Sequence, residues 1–292
     1  MRLSSYGRAM TLTSRALAIA GLFFLAGTAA QAGSVRPVVV ELFTSQGCNS
    51  CPPADFFLGK LSQRSDVLAL TLPVTYWDML GWKDSLANEA NTRRQKAYAA
   101  AMGHGGVYTP QIIVDGVQDV VGSRVASVES AIEARSEAIE AGMAIAEVRN
   151  AEGTVTASRI ASGYEPAAAP PPHQGDPLVP VALNENGQEL HINIGAVGGQ
   201  QNATVWLLHL RSVVTVAIKA GENEGRSVTY HNVVGDIRAV GIWKGSSLSL
   251  TLPRSAMAGL PHDAVAVLVQ HGGYGHVIGA SYISHPDFYP SH

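Results

Sequence analysis

The chain has 292 residues, 46% of them hydrophobic and 15% charged, and 20 Lys+Arg against 23 Asp+Glu leave a net charge of −3. A mildly acidic balance argues against nucleic acid or an anionic membrane as partner, and the abundance of Val, Ile and Leu excludes general disorder. Cys48 and Cys51 are the whole cysteine inventory, so they bond to each other, stay reduced or bind a metal.

At the N-terminus Arg2, Arg8 and Arg15 precede an apolar run at 16–26 and the small-residue sequence Ala30-Gln31-Ala32. This is the pattern of an export signal over residues 1–32, cleaved near Ala32. The run is short for a bilayer span of about 20 residues, so the mature chain, expected to be periplasmic or secreted, has no membrane span. Loss of the three leader arginines takes its net charge to about −6.

A first domain is expected over 33–142. Residues 37–43 (PVVVELF) are short, apolar and β-branched, which suits a strand buried on both faces. Turn residues Thr44-Ser45-Gln46-Gly47 lead into Cys48-Asn49-Ser50-Cys51-Pro52-Pro53, whose prolines fit a first helical turn. Apolar Phe57, Leu58 and Leu61 continue that helix, and 67–74 reads as the next strand. A right-handed crossover makes the two strands parallel, with the cysteine pair at a strand-to-helix junction. A helix is predicted over 88–101, a hairpin around Asp115-Gly116 and an amphipathic helix over 125–139.

A CxxC at a helix start meets both needs of thiol-disulfide exchange. Unpaired N–H groups and the helix dipole favour a thiolate, and a two-residue spacer brings a second sulfur within reach. Cys48 is then the attacking thiol and Cys51 the resolving one. A structural disulfide is the competing reading in an oxidising compartment. A zinc site would need about four ligands, and there is no second CxxC.

The segment Val107-Tyr108-Thr109-Pro110-Gln111-Ile112-Ile113-Val114-Asp115-Gly116 resembles the part of the thioredoxin fold in which a cis-proline faces the active disulfide. This resemblance implies a cis Thr109–Pro110 bond, with the backbone of Thr109 open to a bound peptide. It also sets Glu41 close to the place of the buried acid that moves protons for the resolving cysteine, although the spacing is one residue longer than in thioredoxin. The competing reading puts Glu41 in an ion pair or toward solvent.

The chain further resembles a secreted thioredoxin-like family catalogued as domain of unknown function 1223. The matching stretches are residues 41–55, Tyr76-Trp77-Asp78, Gly81-Trp82-Lys83-Asp84, Tyr108-Thr109-Pro110-Gln111, Gly221-Glu222-Asn223 and Asn232-Val233-Val234. It departs from that pattern at Pro73-Val74-Thr75, where the resemblance implies a His-Val-Asp run. His104 could stand near the sulfurs instead, or be an ordinary loop histidine. Tyr76, Trp77 and Trp82 form either an aromatic wall beside the active helix or part of the core.

Residues 143–292 are read as an all-β, antiparallel sandwich-like domain interrupted by a Pro/Ala-rich loop at 162–180. Its predicted strands cover 190–194, 203–210, 213–218, 227–234, 239–243, 247–252, 264–270 and 276–283. His271, His276 and His285 fit no tight ligand spacing, and neither a metal nor a cofactor is assigned.

The fold class expected is thus an α/β thioredoxin-like domain followed by an all-β domain. The function expected is exported thiol-disulfide oxidoreduction, with Cys48, Cys51, Thr109, Pro110 and Glu41 as site residues. Protein thiols or disulfides, or a redox partner protein, would be the partners. The alternatives are a Cu(I) binding or delivery protein, since thiolates suit that ion, and an interaction module with a structural disulfide.

Overall fold

The β-branched run VVVELFT forms strand β1 (Val38–Thr44), buried along its whole length. The computed structural model describes Met1 and residues 36–152, 178–186, 189–198, 201–253 and 262–284. The expected leader beyond Met1, nearly all of the Pro/Ala-rich loop and His285 lie outside the described residues.

After β1 a short loop carries the two cysteines into helix α1 (Pro52–Leu61). Prolines occupy its first two positions, where no backbone donor is required. Strand β2 (Val67–Pro73) returns parallel to β1. A 3-10 turn, Asp78–Leu80, ends at Gly81, whose φ of 91° suits a residue without Cβ. Helix α2 (Glu89–Ala101) is capped by the Asn88 side chain, which accepts from the Asn91 N–H at 2.9 Å.

Strands β3 (Gln111–Val114) and β4 (Gln118–Val121) form a hairpin, and β3 runs antiparallel to β1. Asp115 and Gly116 both have positive φ, 50° and 74°, the handedness that tight hairpin connections favour. Helix α3 (Val125–Glu152) runs beyond the predicted end at 139.

Alternation along β1 separates two cores. Val38, Val40 and Leu42 pack with Ala54, Leu58 and Leu61 of α1 and with Val128 and Ile132 of α3. Val39 and Phe43 face the other way, toward Tyr98 of α2 and Leu208, Leu268 and Val277 of the second half. The residues following β1 therefore open on the α1 side, while the odd-numbered positions of the strand look across the sheet.

The second half is β-rich: β5 (Val181–Glu185), β6 (Glu189–Ile194), β7 (Ala203–Ala217), β8 (Ser227–Trp243), β9 (Leu248–Pro253), β10 (Ala264–His271) and β11 (Val277–Ser284). Strand β5 has no counterpart among the predicted strands. The four predicted runs at 203–210, 213–218, 227–234 and 239–243 are in fact two long strands of one hairpin. Pairing continues through the apparent breaks because register shifts at Val205/Trp206 and His209/Leu210 absorb the irregularity.

The sandwich expectation holds only in part. The small sheet β5-β6-β9 packs against the β7, β10 and β11 strands through Leu190, Ile192, Val205, Val267 and Trp243. Yet β7, β8, β10 and β11 also belong to one eight-stranded sheet, ordered β11-β10-β7-β8-β2-β1-β3-β4. The junction is β8 beside β2, parallel at Thr71 and Val233, and the Thr71 hydroxyl donates to the His231 carbonyl at 2.6 Å. Among the described residues, no helix is long and apolar enough to cross a membrane.

Candidate functional site

The N–H of Cys48 donates to the Ser45 carbonyl at 3.1 Å and that of Cys51 to the Cys48 carbonyl at 3.2 Å. These two tight turns wind the chain into α1, with Cys51 as its N-cap residue in helical conformation. Cys48 and Cys51 are joined by a disulfide across a Cα separation of 5.5 Å. The Ser50 hydroxyl lies 3.3 Å from the Cys48 sulfur. The spacer residues Asn49 and Ser50 are exposed, but both cysteines are fully buried.

The cover comes from the far half of the chain. Residues 218–226 connect β7 to β8, and Asn223 at their centre is 1% exposed. Its side-chain amide donates to the Gln46 carbonyl at 2.9 Å and to the Cys48 carbonyl at 2.8 Å. Gly221, at φ 78°, crosses Trp82 so closely that a Cβ would stand 3.1 Å from that side chain. The Trp82 indole N–H in turn donates to Gln46 Oε1 at 2.8 Å.

Asp84 fastens the same loop from below, accepting the Gln46 N–H at 2.8 Å and the N–H groups of Leu86 and Ala87. Burial raises its pKa, opposed by those three N–H groups, and Asp78 adds a smaller push upward.

The Thr109–Pro110 bond is cis. Trp77 connects it with the cysteine loop: its indole N–H donates to Thr109 Oγ1 at 2.8 Å, and its Cβ stands 3.2 Å from where a Cβ on Gly47 would be. Pro110, Leu42 of β1 and Ala54 of α1 all border Gly122, so the cis-proline belongs to the shell around the first turn of α1. The Tyr108 carbonyl accepts from Gln95 at 2.7 Å, and the Tyr108 hydroxyl donates to Asp119 at 2.9 Å.

Four of the five predicted site residues thus gather at one end of β1, and the fifth does not. Glu41 is odd-numbered on β1, so it points to the α2 face, opposite α1. There it accepts from Arg94 at 2.5 and 3.0 Å and from the Tyr98 hydroxyl at 2.5 Å, fully buried. Arg94 also donates to Gln270 and sits among the rings of Tyr98, Trp206 and Tyr274. A carboxylate held by this guanidinium across the sheet is a structural anchor, and the proton-carrying role expected for it is corrected accordingly.

The buried acid on the cysteine side is Asp55, a residue present in the motif but given no role from sequence. It is 2% exposed and accepts the Thr44 hydroxyl at 2.7 Å. Burial pushes its pKa up to about 8, against the lowering hydrogen bond from Thr44 and with a smaller raising contribution from Asp84. The available signal was its position four residues after Cys51, which places both side chains on one helix face. Asn223 lies in the family-matching stretch Gly221-Glu222-Asn223, but nothing local tied it to Cys48, from which 175 residues separate it.

The remaining histidines are placed elsewhere. His104 Nε2 lies 3.7 Å from Asp119 Oδ1, and His276 contacts Arg135. Among the described residues, no group of three or more His, Cys, Asp or Glu side chains could hold a metal ion.

Fold and site together define a mixed α/β protein whose CxxC disulfide begins a helix and is closed over by a β-hairpin connection. The chain belongs to the family described as protein of unknown function (DUF1223), whose model matches residues 39–171 and 167–270. It is similar to the crystal structure of protein AGR_C_4864 from Agrobacterium tumefaciens, at 34% identity and a TM-score of 0.65, over 88% of this chain and 98% of that one. HBP35 of Porphyromonas gingivalis aligns at 12% identity and a TM-score of 0.49, over 88% of this chain and 79% of that one. No curated protein matches the chain.

Proposed function

We propose that the protein is an exported thiol-disulfide oxidoreductase with a thioredoxin-like first half, exchanging electrons with protein thiols or disulfides through a mixed disulfide at Cys48. The observation that carries this reading is the Cys48–Cys51 disulfide at the head of α1, with the Thr109–Pro110 segment tied to the same loop by Trp77. A helix N-terminus favours the thiolate released when that bond opens. In this reading the 218–226 connection lifts to admit the partner, since the closed form leaves neither sulfur accessible.

That burial also favours a second reading, a structural bridge with no exchange function. The reduction potential of the pair in the mature protein, measured in glutathione and dithiothreitol buffers, separates the two. A value above about −250 mV is expected for an exchanging pair, and one below about −300 mV overturns that reading in favour of a structural bond.

A further inference from the structure

We infer that Asp55 is the proton carrier for Cys51, storing a proton when the pair is oxidised and supplying it when the disulfide opens. The inference rests on the reading of Cys48 and Cys51 as an exchanging pair.

Asp55 follows Cys51 by one helical turn, and its own N–H donates to the Cys51 carbonyl at 3.1 Å. Helical side chains lean toward the N-terminus, so the carboxyl at this position leans back toward the Cys51 side chain. One carboxyl oxygen accepts the Thr44 hydroxyl, and Thr44 occupies the β1 face that carries Val40 and Leu42 against α1. The other oxygen, Oδ2, is buried and makes no hydrogen bond. No ion pair to a cation holds the group among the described residues, in contrast to Glu41.

The other polar groups around it do not neutralise a charge there. Asp84 approaches from the segment before α2 and repels a carboxylate. Tyr230 of β8 is 2% exposed, and burial, then Asp55 and Asp84, hold its hydroxyl protonated above the usual tyrosine range. His231 of β8 lies against Gly59, further along α1, and burial lowers its pKa. Asp55 is therefore a neutral acid at pH 7 that ionises close to where a thiol does, the condition for efficient proton exchange between them.

The step balances without an outside acid. A partner thiolate attacks the Cys48 sulfur, the Cys48–Cys51 bond breaks, and Cys51 leaves with the electron pair and takes the Asp55 proton. The partner's second thiolate then attacks its own sulfur in the mixed disulfide and releases Cys48. The two cysteines are reduced and the partner dithiol is oxidised to a disulfide. In reverse, Cys51 returns its proton to the Asp55 carboxylate and attacks the mixed disulfide. Cys51 is fully buried, so an internal carrier substitutes for water.

The test is the pH profile, from 5 to 10, of the resolution by Cys51 of the mixed disulfide formed between the reduced mature protein and a disulfide-bonded peptide, for the unaltered protein, Asp55→Asn, Thr44→Val and Cys48→Ser. Asp55→Asn is expected to slow resolution by roughly 100-fold below pH 8, with recovery as alkali ionises Cys51 directly. Thr44→Val is expected to move the profile to higher pH, which also serves if Asp55→Asn fails to fold. Unchanged profiles in a protein that does exchange overturn the role of Asp55 and leave the exchange reading intact. Absence of exchange in the unaltered protein, or equal exchange by Cys48→Ser, overturns both.

Discussion

The Asn223 amide donates to the carbonyl oxygen of Cys48 at 2.8 Å, so a residue from the β7–β8 connection closes the shell around a disulfide at the start of α1. Asn223→Ala removes this bond and the one to Gln46, leaving the Cys48 carbonyl with only the Cys51 N–H and the buried Gln46 carbonyl without the donor it has in the intact protein. Loss of about 1–3 kcal/mol of stability is expected by denaturant unfolding. Reduction by dithiothreitol under native conditions is expected to accelerate at the same time, because the cover is loosened.

Arg94 and Glu41 form a buried ion pair, and removal of one partner strands the other charge. Arg94→Ala or Glu41→Ala is expected to cost about 3–5 kcal/mol, with a smaller loss for the double replacement Glu41→Leu/Arg94→Met. Denaturant midpoints of the four proteins check this. Glu41→Gln is expected to leave the pH profile of disulfide exchange unmoved, since the side chain lies across the sheet from the sulfurs.

Asp115 unites the β3–β4 turn with β1 and α3. It accepts from Arg36 at 3.0 and 2.8 Å, from Arg135 at 3.1 Å and from the Val39 N–H at 2.9 Å. Burial pushes its pKa up, but Arg36 and Arg135 outweigh this and leave it below the usual value. Its stabilising contribution is therefore complete above the unfolded value of about 3.9 and is lost as pH falls toward the lower folded value. Asp115→Asn tolerates the positive φ and is expected to be milder than Asp115→Ala, both showing a flatter acid limb in pH-dependent unfolding.

His209 of β7 is 1% exposed and stacks on His262, with its Nδ1 3.5 Å from Asp236 Oδ2, whose charge opposes the lowering of its pKa. Burial first, then the charge of His262, lowers its pKa to about 4. Because the folded value is depressed, the contribution is present above the unfolded value near 6.5 and declines as pH falls toward 4. His209→Gln is expected to remove a slope worth on the order of 3 kcal/mol over that range, visible in the difference between the two proteins' thermal or denaturant stability.

Asp55 gives the opposite sign. Its folded pKa is raised, so stability is full below the unfolded value near 3.9 and falls as pH climbs through 8. Asp55→Asn is expected to flatten this loss between about pH 4 and pH 8 and to be more stable than the unaltered protein at pH 8 by a few kcal/mol.

Several parts of the site were legible in the linear sequence because they depend on neighbours within a few residues. The run VVVELFT, the prolines after Cys51 and the Asp115-Gly116 turn act through β-branching, fixed φ and tolerance of positive φ. Cys48 and Cys51 are legible as a candidate pair from their proximity and the lack of any other cysteine, while the bond between them, as against two free thiols or a metal site, comes from the structure. Short apolar runs placed most later strands as well, although the β7–β8 hairpin shows that local polarity does not end a strand whose partner continues.

Orientation and long-range closure were decided by the tertiary structure. Period-two alternation puts Glu41 and Leu42 on opposite faces, but only the packing of α1 and α2 determines which face carries the cysteines and leaves Asp55 as the acid beside them. The joining of β8 to β2 places Asn223 over Cys48, a contact that no window of sequence contains. Burial, charge pairing and hydrogen bonding between distant segments depend on where the whole chain is packed, whereas turn and strand preferences depend on each residue's own backbone and side chain.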